Sequence, residues 1–381
     1  MNNKKNILIT GGAGFIGTNI ARRLVKENWN VTILDNFLPQ VHGENNDIAI
    51  DLKDKVKLVK GDVTVKENFI STLVGQNAVI HLAAETGTGQ SMYNIEHYSR
   101  VNILGTSILC DYLINETNDI ETVVVASSRS IYGEGKYYSQ KFGDVYPNSR
   151  TFLNVKNSFE VTCPFTGENN LELKPTDELS KIHPSSFYGI TKQVQEQMIL
   201  MASKLKNING YALRYQNVYG PGQSLKNPYT GILSIFCRLA LKNEEINIFE
   251  DGNESRDFVF IDDVVEATVS CLLVNNKEQN ILNVGSGVAT RVIDVAREII
   301  SYTKSKSNIN ISGTFREGDI RHNYADLTNA KKIINFQPKW NFKSGLHKFI
   351  DWVTSENDIP KDFSDYQKSL TELKEKGLLN E

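Results

Sequence analysis

The sequence predicts an α/β protein: a doubly wound, mostly parallel sheet carrying a smaller, mixed α/β lobe. Three observations lead there. Short β-rich apolar runs alternate with longer amphipathic stretches through the first half of the 381 residues. The runs are nearly continuous in apolar residues, as strands covered on both faces require. A glycine-rich turn joins the first run to the first amphipathic stretch.

The strands are read in order as NILIT (6–10), NVTILD (30–35), VKLVKGD (56–62), AVIHLAA (78–84), TVVVASS (122–128) and GYALRYQN (210–217). Helical spacing appears in FIGTNIARRLVKEN (15–28) and NILGTSILCDYLINE (102–116). Residues 134–183 interrupt the alternation with a long polar stretch of no strong period, read as an insertion acting as lid or subunit contact. After residue 216 the pattern becomes irregular. The domain reading is therefore a dinucleotide domain over 1–215, with 253–284 returning to it, and a substrate lobe of 216–252 and 285–381. The final FSDYQKSLTELKEKGLLNE reads as a solvated, charged helix with no assigned function.

Composition narrows the class. A net charge of −3 argues against a dedicated nucleic-acid binder. No run approaches the roughly 18 apolar residues of a membrane span, and MNNKKNILIT is too short in apolar residues for a signal-peptide core. Cys110, Cys163, Cys237 and Cys271 lack metal spacing and are expected to be reduced, packed thiols in a cytoplasmic protein. The histidines are scattered, and Asp262-Asp263 looks like a helix start rather than a carboxylate dyad, so no metal is expected.

The glycine-rich turn is ITGGAGFIG. Gly11, Gly14 and Gly17, with Phe15 and Ile16 between the last two, would let pyrophosphate approach the main chain at a helix N-terminus. This makes the fold Rossmann-type. Asp35 ends the second strand 18 residues beyond Gly17, followed by Asn36; its carboxylate can accept hydrogen bonds from an adenosine ribose and would repel a 2′-phosphate. No Lys or Arg lies between it and Lys53, so the cofactor is read as NAD. Asp62 and Val63 are candidates for the adenine, and Leu82, Ala83 and Ala84 for the cofactor side of the fourth strand.

FYGITKQVQEQM sets Tyr188 and Lys192 four residues apart, on one helical face. A tyrosine with an ordinary pKa of about 10 becomes a base only when its phenolate is stabilised. Reaching neutral pH asks for roughly 4 kcal/mol from a nearby ammonium and a positive nicotinamide ring. Upstream, ASSRSIYGEG (126–135) gathers hydroxyls at the end of the fifth strand.

With TGGAGFIG, GDV, HLAA, SSRSIYG, YGITK and RDFVFIDD together, the chain resembles the extended short-chain dehydrogenase/reductases, in the nucleotide-sugar epimerase/dehydratase branch, from residue 6 to about 350. The resemblance implies a catalytic Ser128, Tyr188 and Lys192, with Asn102 supporting the cofactor side. It implies that a nucleoside-diphosphate sugar meets Thr86, Ser128, Arg129, Asn217, Asn247, Phe249, Arg256, Arg316 and Asp319, with Arg321 a further candidate for the diphosphate. A homodimer is also implied. Dehydratase relatives carry Asp-Glu after the hydroxyl residue, decarboxylases a Glu two places after it, and 3,5-epimerases a Cys; here Arg129 and Ser130 follow. The expected activity is therefore 4-epimerisation through a transient 4-keto sugar. A net oxidoreductase, a dehydratase and a non-enzymatic NAD sensor stand as alternatives. HLAAETGTGQSMY, NVYGPGQSLKNPYTGILSIF and GDIRHNYAD resemble the dTDP-L-rhamnose 4-epimerase group, which interconverts dTDP-L-rhamnose and dTDP-6-deoxy-L-talose. The chain departs from that group at Arg129, where a neutral residue is usual, and in keeping only Cys163 of the insertion's cysteine pairs.

Overall fold

A computed structural model describes residues 4–380 except 157, 226, 228–230, 275 and 357–362. Part of the NVYGPGQSLKNPYTGILSIF run thus lies outside the described residues. Strands β1 (Asn6–Thr10), β2 (Asn30–Asp35), β3 (Val56–Lys60), β4 (Ala78–His81) and β5 (Thr122–Ser128) fall where the apolar runs predict them. Two are shorter than predicted, because the chain turns away at Gly61 and Leu82, whose N–H groups close onto Asp35 and Thr10 carbonyls. The insertion carries β6 (Tyr137–Ser139), β7 (Gly143–Val145) and β8 (Glu172–Leu173). Then come β9 (Asn209–Tyr215), β10 (Asn217–Tyr219), β11 (Ile246–Ile248), β12 (Ser255–Phe260), β13 (Gln279–Val284), β14 (Ala289–Arg291), β15 (Ile309–Ile311), β16 (Phe315–Arg316) and β17 (Leu379–Asn380).

The main sheet is parallel throughout, in the order β13-β9-β5-β4-β1-β2-β3. Strand order reverses between β1 and β4, the switch point where a crevice opens beyond the strand ends. Period-2 alternation feeds two cores. Ile7, Ile9 and Ile33 pack with Ile20, Leu24 and Val264 on one face; Leu8, Leu34 and Val79 pack with Phe69, Leu109 and Ile199 on the other. The run read as GYALRYQN divides: β9 stays in the main sheet, Gln216 intervenes, and β10 pairs with β12 in a three-stranded sheet. Gln216 therefore stands where the chain passes from one sheet to the other.

Within residues 134–183, read as an insertion, β6, β7 and β8 form an antiparallel sheet over a small core of Tyr137, Val145 and Val161. The sequence hides it because the strands span only two or three residues. The C-terminal helix Ser364–Glu375 is not simply solvated: Ser369 and Leu373 are buried against the body. Among the described residues no helix is long and apolar enough to cross a membrane, and no cluster of three metal-ligating side chains occurs.

Candidate active site

Two cavities meet at the carboxyl end of the main sheet, sharing Thr86, Ser128, Tyr188, Gln216, Val218 and Gln223 along their seam. Gly11, Gly14, Phe15, Ile16, Gly17, Asp35, Asn36, Val63, Leu82, Ala83, Ala84 and Lys192 line the first. Arg129, Asn217, Asn247, Phe249, Arg256, Arg316 and Asp319 line the second.

The first cavity fits a dinucleotide. Gly11 has φ +67°, and a Cβ there would lie 2.9 Å from the Ala83 nitrogen; at Gly17 it would lie 2.6 Å from the Gly11 carbonyl oxygen. Backbone approach this close excludes a methyl group and packs the start of the helix tightly onto the turn after β1. The helix Phe15–Lys26 begins at Gly14 with no capping side chain and no acid in its first turn, leaving N–H donors for an anion. Asp35 is held by the N–H groups of Ala13 (3.0 Å) and Phe37 (2.9 Å), with His42 Nε2 3.4 Å away. At the seam, both amide atoms of Gln216 are buried without a hydrogen-bond partner in the protein. A ligand spanning the seam would give this amide its partners.

Two predicted cofactor residues stand outside this lining. Asp62 accepts hydrogen bonds from the Thr64 N–H and hydroxyl at 2.8 and 2.7 Å and from Asn36 at 2.9 Å, so it braces the turn beside the cavity. Asn102 lies in the π-helical turn Arg100–Leu104, fully buried. Its amide accepts from the Glu85 N–H at 2.8 Å and donates to the Glu85 carbonyl and Thr191 hydroxyl. It ties the loop after β4 to the tyrosine-bearing helix rather than facing the cavity.

The hydroxyl pair is built by two elements. Ser128 ends β5 and pairs in register with Tyr215 of β9; its Oγ accepts the Ser130 N–H at 3.1 Å. Tyr188 sits in the first turn of the helix Phe187–Lys206, capped by Ser186, and lines both cavities together with Ser128. The helix comes this close only because Gly189 lacks a side chain: a Cβ there would lie 2.6 Å from the Ser130 carbonyl oxygen. Lys192, one turn on, is buried and donates to the Ala126 carbonyl at 2.9 Å.

Burial pulls the Lys192 ammonium down to about 7. Burial also raises Tyr188, opposed by the Ser128 hydrogen bond and the Arg129 charge. The protein's own groups therefore leave the phenol above its ordinary value, and the expected lowering calls on the positive nicotinamide ring as well as the ammonium. The Arg129 charge lowers it, and the Lys192 ammonium stands 6.0 Å from the Tyr188 ring centroid.

Arg129 donates from Nε to Asn217 at 3.1 Å and has no salt bridge among the described residues. Arg316 pairs with Asp319 through Nε and Nη2 at 3.1 and 3.0 Å, while Arg256 donates to the carbonyls of Ser255, Ile320 and Arg321. Arg321 is corrected: it is 1% exposed, outside the cavity lining, and bound to Glu160, Glu250 and Asp251. Sequence reading missed Gln216, an uncharged residue at a strand end. It also missed Tyr366, Leu370 and Leu373 of the C-terminal helix, which line the second cavity.

Residues 7–285 match the NAD dependent epimerase/dehydratase family. A dTDP-L-rhamnose 4-epimerase from Burkholderia thailandensis is 37% identical over 93% of this chain and 96% of its own. A putative UDP-glucose 4-epimerase from Methanocaldococcus jannaschii is 32% identical over 92% and 99%. Among solved structures, MoeE5 in complex with UDP-glucose and NAD superposes with a TM-score of 0.72 at 26% identity, over 92% of this chain and 98% of that one.

Proposed function

The chain belongs to the NAD dependent epimerase/dehydratase family, and on that premise we propose that it is a 4-epimerase of nucleotide sugars. The observation that carries the reading is the Ser128–Tyr188–Lys192 group at the seam, followed by Arg129 and Ser130 where extra acid–base chemistry would need a carboxylic acid or thiol. Arginine stays protonated and serves as neither acid nor base at this step.

When bound, NAD supplies a reversible hydride acceptor. Tyr188 takes the C4 hydroxyl proton as C4 is oxidised and returns it when the ketone is reduced on its other face. Ser128 holds the same oxygen through its hydroxyl. Lys192, directed by the Ala126 carbonyl, reaches toward the nicotinamide ribose, and Gln216 offers its unpartnered amide between cofactor and sugar. Arg256 and Arg316 bind the diphosphate, a task suited to permanently charged forks, and Asn247 and Phe249 pack the nucleobase. The substrate pair favoured is dTDP-L-rhamnose and dTDP-6-deoxy-L-talose, supported by the Burkholderia relative. Arg129 supports a second reading, a sugar bearing an anionic group, because it lines the second cavity with no salt bridge among the described residues.

The test incubates purified protein, without added NAD, in heavy water with dTDP-L-rhamnose and a panel of neutral and acidic nucleotide sugars. The expected product is a new chromatographic peak of unchanged mass and no deuterium uptake. The sugar converted decides between the two substrate readings. Loss of water, deuterium incorporation, or turnover only with added cofactor would overturn 4-epimerisation.

A further inference from the structure

We infer that the C-terminal helix Ser364–Glu375 is a working wall of the sugar-nucleotide site, with Tyr366 joining Arg316 at the diphosphate and Leu370 closing the cavity beside it. The inference rests on the nucleotide-sugar reading and extends it to a segment remote in sequence from every motif of the cleft. Tyr366, Ser369, Leu370 and Leu373 recur at positions i, i+3, i+4 and i+7, one face of a helix, and all four line the second cavity. The acids of the helix do not enter that lining: Asp365 and Glu375 are exposed, and Glu372 accepts the Tyr93 hydroxyl at 2.9 Å. A polyanion thus meets a phenol and aliphatic groups on this wall, not carboxylates.

The wall is fastened on both sides. Leu373 is 3% exposed and seats against Gly89, where a Cβ would lie 3.7 Å from its methyl carbon. Lys376 stands 5.2 Å over the Tyr93 ring. Beyond the helix, β17 pairs antiparallel with β16, setting Leu379 opposite Arg316 itself, and the Glu317 N–H donates to the Leu378 carbonyl at 2.9 Å. The strand that presents Arg316 is therefore aligned by the same segment that presents Tyr366. The Arg316 charge also acts on the Tyr366 phenol, lowering it against the rise caused by burial. A neutral O–H beside a guanidinium is a suitable pair of donors for adjacent phosphate oxygens.

The test titrates the NAD-carrying protein with dTDP and with UDP in a calorimeter, for the wild type, Tyr366→Phe and Leu370→Ala. NAD content by absorbance and the melting temperature are measured alongside. Each variant is expected to bind the preferred nucleotide about tenfold more weakly, with NAD content and melting temperature unchanged. Wild-type affinity in both variants would overturn the inference and leave the nucleotide-sugar reading standing. Loss of NAD or of thermal stability together with affinity would make the helix structural packing and also overturn it. A wild type that holds NAD and binds neither nucleotide would remove the nucleotide-sugar reading, and the wall with it.

Discussion

The seam between the two cavities and the ion cluster around Arg150 and Arg321 both hold buried charged side chains, satisfied to different degrees. In the cluster, Arg150 donates to Glu134 at 3.1 Å and to both oxygens of Glu250 at 2.8 Å; Arg321 reaches Glu250 and Asp251 at 2.9 and 2.7 Å and Glu160 at 2.9 Å. On either side of the seam, Lys192 has one backbone carbonyl and the Arg129 guanidinium one amide oxygen, and on it Gln216 has no partner. Saturated charges locate a joint: the cluster binds the insertion to the residues after β11 and after β16. The open positions of Lys192, Arg129 and Gln216 face the two cavities, where a ligand can fill them.

Breaking each region should give opposite signatures. Tyr188→Phe is expected to lower kcat about 10³-fold while melting temperature and NAD content stay at wild-type values. A variant retaining a tenth of the wild-type rate would remove Tyr188 as the base. Arg150→Ala removes the guanidinium paired with Glu134 and leaves Glu250 to Arg321 alone, and should cost about 3–5 kcal/mol in urea unfolding. A loss under 1 kcal/mol would show the cluster to be solvated and the contrast false.

Lys192→Met sharpens the comparison from the seam side. Burial depresses the folded-state Lys192 to about 7, below its ordinary value. The unfolded chain therefore binds more protons between pH 7 and the normal lysine range, and wild-type stability rises with pH across that window. The penalty is fully present below pH 7. Cofactor-stripped Lys192→Met should thus be more stable by on the order of 1–2 kcal/mol at pH 6, with the advantage fading toward pH 10, and turnover lost. A variant less stable than wild type at pH 6 would mean the ammonium is well solvated or paired.

What the sequence disclosed follows from locality. The strands, the glycine turn, Asp35 and the Tyr188–Lys192 spacing are each set within one or two turns of chain, and the structure brings Tyr188 and Lys192 to one cavity. The depth at which Tyr188 and Lys192 lie was not legible, since burial depends on packing that spacing does not report. Arg321 was misread because a lone arginine near an Arg-Glu-Gly-Asp run looks the same whether it faces a cavity or Glu160. Gln216 was invisible because its importance lies in lacking a partner, a property of the assembled sheets. The C-terminal helix, charged on three sides, hid a narrow apolar face.

The register of β5 on β9 has a consequence for how the chain reaches this state. Ser128 lies opposite Tyr215, 87 residues further along the chain, and closing that parallel pair is a costly contact to form before others compensate. The insertion and the Tyr188 helix both lie between the two. Folding kinetics should therefore place the hydroxyl pair among the late events. Until then the valine-rich edge of β5 stays unpaired, and crowded refolding at that stage would favour aggregation over catalytic assembly.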